Sequence, residues 1–222
     1  MKVTLITHTP EPEKVIASAA KLCYSSSDIE SLMNGLTTEK IETFIKKLTD
    51  LGHQSPLEHC TFTFGIEGVS RALSHQLVRH RVASYSQKSQ RYVKEGQFEY
   101  IKPDTINSNP NLSAAYDDFM ARVQDFYSAL IALGVPAEDA RFVLPNACET
   151  KIIMTMNIRT LLHFFEERCC NRAQWEIRQM ANIMLSICKE VAPNLFAKAG
   201  ASCVRGKCKE GKMSCGQPIG GK

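Results

Sequence analysis

The amino-acid sequence predicts a mixed α/β domain of the α+β kind, a small central sheet flanked by several helices, with helices in the majority. Three observations carry that prediction. Apolar residues recur at helical spacing through most of the long segments. A few short runs alternate apolar and small polar residues, as half-buried strands do. No repeat or linker divides the 222 residues, a length that suits one compact domain with a proper core.

Val3–Ile6 (VTLI) reads as a short strand, followed by the punctuation of Pro10 and Pro12. Lys14–Tyr24 carries Val15, Ala19 and Leu22 at helical spacing. Thr38–Leu51 opens with a start signal in Thr37, Thr38 and Glu39 and gathers Ile41, Phe44, Ile45 and Leu48 on one face. Cys60–Val69 (CTFTFGIEGV) alternates and reads as a strand. A helix is expected from Ser70 to about Arg79, then a loop to Val93 and a strand at Phe98–Ile101. Pro103–Asn111, rich in Asn, Asp and Pro, is expected to be a loop. Leu112–Leu133 is a long amphipathic helix ending at Gly134, and Pro136 opens another that Pro145 closes. A strand at Lys151–Met156 precedes helices at Asn157–Arg168 and Ala173–Val191. From Gly200 onward Gly and Lys dominate, so residues 201–222 are expected to be a flexible tail on a domain of residues 1–200.

Composition excludes several classes. No apolar run approaches the roughly 20 residues that cross a bilayer. The N-terminus lacks the apolar core and cleavage site of a signal peptide, so a cytoplasmic protein is expected. Nine cysteines, an odd number at irregular spacing, point to reduced thiols rather than a disulfide framework. A pI near 8.5 is only weakly basic.

The local charge is more telling. Between Glu67 and Glu95 lie Arg71, Arg79, Arg81, Lys88, Arg91 and Lys94 without one acid, in a chain whose net charge is only +4. At 100° per residue Gln76 and Arg79 share a helical stripe and can address one ligand together. Arg79, His80 and Arg81 can equally be cations favoured at a helix C-terminus. The stretch that follows, with Ser84, Ser86, Gln87, Ser89, Gln90 and Arg91, is a donor-rich cradle suited to phosphate and a heterocycle edge. No partner spacing marks any of its serines as a nucleophile.

Arg168 is the second unusual position. It shares a helical arc with Leu161, Phe164 and Phe165, so it must snorkel or pair with an anion, a structural salt bridge being the plainer outcome. Arg159 and His163 form an i, i+4 pair on the opposite arc, consistent with a second ligand there. Arg141 lies among Glu138 and Asp139, where a surface ion pair is the simplest reading. His53 and His59 bracket a Ser-Pro turn, which is weak ground for a metal, and Cys203, Cys208 and Cys215 lack a clear fourth ligand. No metal site is expected.

These residues resemble the flavin-dependent thymidylate synthases. The signature RHRxxSxNxxSxRY appears as Arg79-His80-Arg81, Ser84, Ser89, Arg91 and Tyr92, with Ser86 in place of the usual Asn. GHxSPxEH at Gly52–His59, the helix with Gln76, ARxVLP from Arg141, and NxRxLxxFxxxR with AQWEI from Asn157 to Ile177 are similar to family blocks in family order. They span roughly residues 50 to 195 and leave the Cys/Lys tail uncovered. The resemblance implies a homotetramer with composite sites that converts dUMP to dTMP. Methylenetetrahydrofolate would be the one-carbon donor and NADPH-reduced FAD the hydride source. It implies catalytic roles for Arg168 and His53. It implies dUMP contacts from Gln76, Arg79, Gln87, Lys88, Ser89, Gln90, Arg91, Arg141 and Arg168, and FAD contacts from Ser55, Arg79, His80, Arg81, Gln87, Asn157, Arg159 and His163. Arg168 matches the family residue thought to favour ionisation of the uracil ring nitrogen. The competing reading is a single-stranded nucleic-acid module using Arg79–Lys94, with Tyr85 and Tyr92 for stacking. It accounts for the charge but not for Arg168 or the GHxSPxEH block, so neither nucleic acid nor membrane is expected as a partner.

Overall fold

In a computed structural model that describes residues 1–219, β1 (Lys2–His8), β2 (Thr61–Ser70), β3 (Ser84–Gln87) and β4 (Glu149–Asn157) form one sheet in the order β1-β2-β4-β3. β2 and β4 run antiparallel. The Thr63 and Thr155 hydroxyls meet at 2.9 Å near one end, and the Gly68 N–H donates to the Glu149 carboxylate at 2.9 Å near the other. Alternation works as the sequence implies: β2 buries Phe62, Phe64 and Ile66, and β4 buries Ile152, Met154 and Met156. Gly68 breaks the pattern with φ +67°, and a Cβ there would lie 3.1 Å from the Met1 nitrogen, so glycine is required.

The helices are α1 (Pro12–Leu22), α2 (Ile29–Asn34), α3 (Thr38–Leu51), α4 (Arg71–Leu77), α5 (Asp104–Asn107), α6 (Pro110–Ala132), α7 (Ala137–Ala140), α8 (Ile158–Arg168), α9 (Trp175–Val191) and α10 (Pro193–Phe196). Several starts have visible causes. The hydroxyl of Thr37 accepts from the Lys40 N–H, Ser70 from Leu73, and the Asn157 carboxamide from Thr160. Gly52, at φ +73°, closes α3 as a left-handed C-cap.

The chain forms two compact units whose segments interleave along the sequence. Met1–Lys2, Ile66–Arg79 and Ser86–Ile153 make one; Val3–Gly65, His80–Tyr85 and the chain from Met154 onward make the other. In the first, Phe98, Met120 and Cys148 form a buried cluster beneath Tyr100, Tyr116 and Leu144. Tyr127 and Gln124 of α6 hold the 95–98 segment: the Tyr127 hydroxyl accepts from Glu95 N–H at 3.2 Å, and the Gln124 carboxamide oxygen from Phe98 N–H at 2.8 Å. In the second, Phe62, Phe64, Phe164, Phe165 and Phe196 are fully buried and pack edge to face at several contacts. There Glu13 of α1 caps α10, its carboxylate accepting from Asn194 N–H at 2.7 Å and Leu195 N–H at 3.3 Å.

The structure departs from the sequence expectations at several places. α2 and α10 have no counterpart among the expected elements, and the helix expected between Pro136 and Pro145 is α7 followed by a 3-10 turn at Arg141–Val143. The segment expected to be a loop up to Val93 contains β3, an edge strand with no β-branched residue to announce it. Phe98–Ile101 makes only an isolated antiparallel bridge, Tyr100 to Cys148, because the Phe98 N–H is turned to a side chain of α6. Pro103–Asn111 is not all loop, since α5 is a single helical turn and α6 already starts at Pro110, capped by Asn109. α4 ends at Leu77 rather than near Arg79, so Arg79 lies past the helix and Gln76 in its last turn.

Residues 201–222 are expected to be a flexible tail. Of these, 201–219 contain two 3-10 turns, Ser202–Val204 and Gly211–Met213, with Ala201 and Cys203 buried. Arg205 and Lys209 both pair with Glu166 of α8, and the Asn171 amide donates to the Gln217 carbonyl at 3.2 Å. Residues 220–222, the end of that expected tail, lie outside the described residues. No helix among the described residues is long and apolar enough to cross a membrane.

Candidate active site

The residues of the acid-free stretch are positioned first by strand pairing. Lys88 N–H donates to the Lys151 carbonyl at 2.9 Å just past the end of β3, and the Gln87 amide donates to the Thr150 hydroxyl at 3.1 Å. The chain then curls: the Val93 N–H reaches back to the Ser89 carbonyl at 3.0 Å and the Arg91 N–H to the Ser89 hydroxyl at 3.2 Å. This turn presents Ser89, Gln90 and Arg91 together.

The turn is closed by charge. The Lys88 ammonium donates to Glu95 Oε2 at 2.9 Å and lies 2.8 Å from Oε1, with the Lys88 side chain 25% exposed and that of Glu95 8%. Oε1 sits in ion-pair contact but outside hydrogen-bonding geometry, and among the described residues it has no hydrogen-bond partner. Arg71 donates to the Lys88 carbonyl at 3.4 Å, and burial, then the nearby Arg141, pull its guanidinium below the ordinary arginine range.

Arg91 also has a partner. Its Nε and Nη2 both lie 3.1 Å from one carboxylate oxygen of Glu138, and its guanidinium covers the Tyr92 ring at 5.4 Å. Arg141 does not form the expected ion pair with Glu138; its Nε donates to the Glu138 backbone carbonyl at 3.0 Å instead. Arg91 and Arg141 thus converge on one residue. Two of the six cations are therefore not bare: Lys88 is neutralised by Glu95 and Arg91 by Glu138. Sequence reading missed both acids. Glu95 was visible as the acid ending the cationic run, whereas Glu138 is brought back from 47 residues beyond Arg91.

The second unit carries another group. Asn157 caps α8 with its oxygen, which leaves its amide N–H groups available. Arg159 and His163 stand exposed on the outer arc of α8 while Leu161, Phe164 and Phe165 are buried, the division expected from helical spacing. Arg159 pairs with Glu58 of the 3-10 turn Ser55–His59. His53 and Ser55 line a cavity of about 490 Å³ whose floor includes Phe44, Leu48, Leu51 and Pro56. Arg81 is exposed.

Arg168, at the end of α8, is partly buried and, among the described residues, does not form the expected salt bridge. Its Nε donates to Nε2 of His80 at 3.0 Å. A guanidinium can only donate, so His80 Nε2 is the acceptor and the ring proton sits on Nδ1. His80 is 8% exposed, lies edge to face with Phe164 at 5.0 Å and with His163 at 6.0 Å, and accepts the Tyr85 hydroxyl at its carbonyl at 2.9 Å. Burial first, then the Arg168 and His163 charges, hold its pKa down to about 4.

Comparison with known proteins decides the family. A profile described as thymidylate synthase complementing protein matches residues 4–194. A flavin-dependent thymidylate synthase of Clostridium tetani is 54% identical, over 98% of this chain and 94% of its own length. That of Geobacter sulfurreducens is 54% identical with the same coverage, and that of Nitratidesulfovibrio vulgaris 49%, over 97% of this chain and 94% of its own. The chain belongs to the flavin-dependent thymidylate synthase family.

Within this thymidylate synthase family member the profile match takes in both groups of residues and stops before residues 201–222, whereas the match to the relatives reaches almost the whole chain. Ser86, where the family signature usually has Asn, is an exposed residue of β3. The donor set of the second unit fits a flavin dinucleotide in chemistry: the Asn157 carboxamide, the Arg159 guanidinium and the His163 imidazole stand at the start and outer arc of α8, away from the apolar core. Among the described residues no three His, Cys, Asp or Glu side chains gather as a metal site, Cys203, Cys208 and Cys215 included.

Proposed function

We propose that the protein is a flavin-dependent thymidylate synthase that methylates dUMP reductively to dTMP, with methylenetetrahydrofolate as one-carbon donor and NADPH as reductant. The observation that supports this most is the guanidinium of Arg168, held at one nitrogen by a neutral imidazole in a member of this family. When bound and reduced by NADPH, FAD would supply the hydride for the methyl group. Ser55, Arg79, His80, Arg81, Gln87, Asn157, Arg159 and His163 are the residues to hold it, and His53 stands with Ser55 as a catalytic contact.

dUMP brings a dianionic phosphate. Lys88, Ser89, Gln90 and Arg91 of the 88–95 turn, with Gln76, Arg79, Gln87 and Arg141, offer it ammonium, hydroxyl, amide and guanidinium donors. The exposed Arg91–Glu138 pair contributes only about 0–1 kcal/mol, so exchanging that carboxylate for phosphate costs little. Arg168 addresses the uracil ring. Its charge stabilises the anion left when the ring nitrogen loses a proton, which raises electron density at the carbon to be alkylated and makes a protein nucleophile unnecessary. Among the buried thiols, Cys60, Cys148, Cys169 and Cys188 are all pushed up by burial, Cys60 to about 11, which suits packing rather than attack.

The assembly is a cytoplasmic homotetramer in which one site draws residues from more than one copy. α6 supports this, since it buries Met120 and Tyr127 while Phe119 and Phe126 stay more than half exposed, as do Leu133 just beyond it and Phe142 at 82% each. An absorbance spectrum tests the reading. A yellow protein whose bands respond to dUMP, and which forms dTMP from dUMP, methylenetetrahydrofolate and NADPH, is the expected result. A colourless protein with salt-sensitive affinity for oligonucleotides would overturn it.

Catalysis is assigned to residues 1–200, with 201–222 as an appended segment. Its ion pairs to Glu166 are partly exposed and contribute about 0–1 kcal/mol each. Truncation after Gly200 is expected to lower the melting temperature by a few degrees and leave flavin binding and dTMP synthesis near wild type. Loss of bound flavin on truncation would show that the segment belongs to the site.

A further inference from the structure

We propose that His80 is the positioning residue for Arg168: its Nε2 accepts the guanidinium Nε–H and so aims the two remaining NH2 groups at the pyrimidine. This rests on the reading that Arg168 addresses the dUMP ring, and goes beyond it by giving the central residue of the RHR motif a role toward another side chain.

The argument is one of donors and angles. A free arginine side chain has about 2 kcal/mol of rotamer entropy and can swing its fork through a wide arc. Fixing Nε removes most of that freedom, because the guanidinium is planar and the remaining four N–H bonds then point in set directions. The acceptor must be neutral and must not compete for those N–H bonds. A carboxylate would take two of them in a fork-to-fork pair and spend the charge that the pyrimidine anion requires. A single imidazole nitrogen takes one and leaves the charge intact. His80 is itself fixed from three sides: the Phe164 ring edge to face, His163 at 6.0 Å, and the Tyr85 hydroxyl donating to its carbonyl. The charged and titratable groups that face it are Arg168 and His163 of α8 and Tyr85 of β3, and none is an acid. Burial and the two charges on α8 therefore keep the ring neutral and the acceptor available, in line with its depressed pKa, while Tyr85 holds only the backbone.

The test uses the full-length enzyme with FAD bound. His80→Phe keeps the aromatic volume against Phe164 but removes the acceptor; His80→Gln places an amide oxygen near the former Nε2. The expected result is that His80→Phe binds FAD more weakly but, at saturating FAD, binds dUMP within about threefold, while kcat for dTMP falls about 10²-fold, the size of a roughly 1 Å misplacement. His80→Gln is expected to recover most of that loss. A second measurement needs no turnover: the His80 ring, followed by NMR in the protein without ligands, should stay neutral to below pH 5, and Arg168→Leu should move its titration upward. Equal impairment of the Phe and Gln variants together with lost flavin would make His80 a cofactor contact only and overturn the proposal. So would a His80 titration that ignores Arg168→Leu. If the wild type makes no dTMP the functional reading fails, and the titration still decides whether the pair exists.

Discussion

Arg168→Ala leaves a yellow, folded protein that forms dTMP about 10²–10³-fold more slowly, the usual cost of removing one preorganised charge from a reacting centre. The reason flavin survives is geometric. Arg168 points to His80 from the end of α8, while Arg159 and His163 occupy the exposed outer arc. Arg168→Lys is expected to rescue little. An ammonium keeps the charge but has no planar fork, and it cannot both bond His80 and face the ring with two further fixed donors. Single-turnover rates with saturating dUMP, beside the flavin spectrum of each variant, make the measurement. A variant within tenfold of wild type, or one that loses flavin and turnover together, would sink this assignment.

The second large effect falls on Glu95, a residue outside the signature. Breaking a fully buried ion pair by removing one partner costs about 3–5 kcal/mol. The Lys88 side chain is a quarter exposed and is partly rehydrated when its partner goes, so Glu95→Ala is expected to destabilise by about 2–3 kcal/mol. The same change opens the 88–95 turn and weakens dUMP binding through Ser89, Gln90 and Arg91. Lys88→Met in the Glu95→Ala background removes the stranded ammonium and should recover part of the stability without recovering dUMP affinity. Urea unfolding of the four proteins in a double-mutant cycle measures the coupling. Additive effects, or a Glu95→Ala loss below about 0.5 kcal/mol, would mean the pair does not close the turn.

What the sequence made legible follows from which interactions are local. α3, from Thr38 to Leu51, was readable to the residue because its cap, its face and its terminating Gly52 all lie within one short window. The arcs of α8 were readable for the same reason. β3 was not, because an edge strand of Ser, Tyr, Ser and Gln owes its conformation to β4, more than sixty residues away. The site shows the same divide. Its donors were recognisable by type and order, but their partners were not: Glu138 meets Arg91 and His80 meets Arg168 only through the fold, at separations of 47 and 88 residues. The charge of the 79–94 stretch was therefore overstated from sequence, since two of its cations arrive already paired.

The place of β3 in the sheet has a consequence for solubility. With the order β1-β2-β4-β3 it is an outer strand, and an outer strand with unpaired backbone groups invites another chain to add to it. β3 is only four residues long, places Ser84 and Ser86 on its exposed side, and is followed at once by Lys88. Short length and hydroxyl side chains are features that discourage such strand addition, whereas the Lys88 ammonium is turned to Glu95. Replacing Ser84 or Ser86 with valine or isoleucine would raise the local strand propensity and, by the same stroke, turn this border into a template for aggregation.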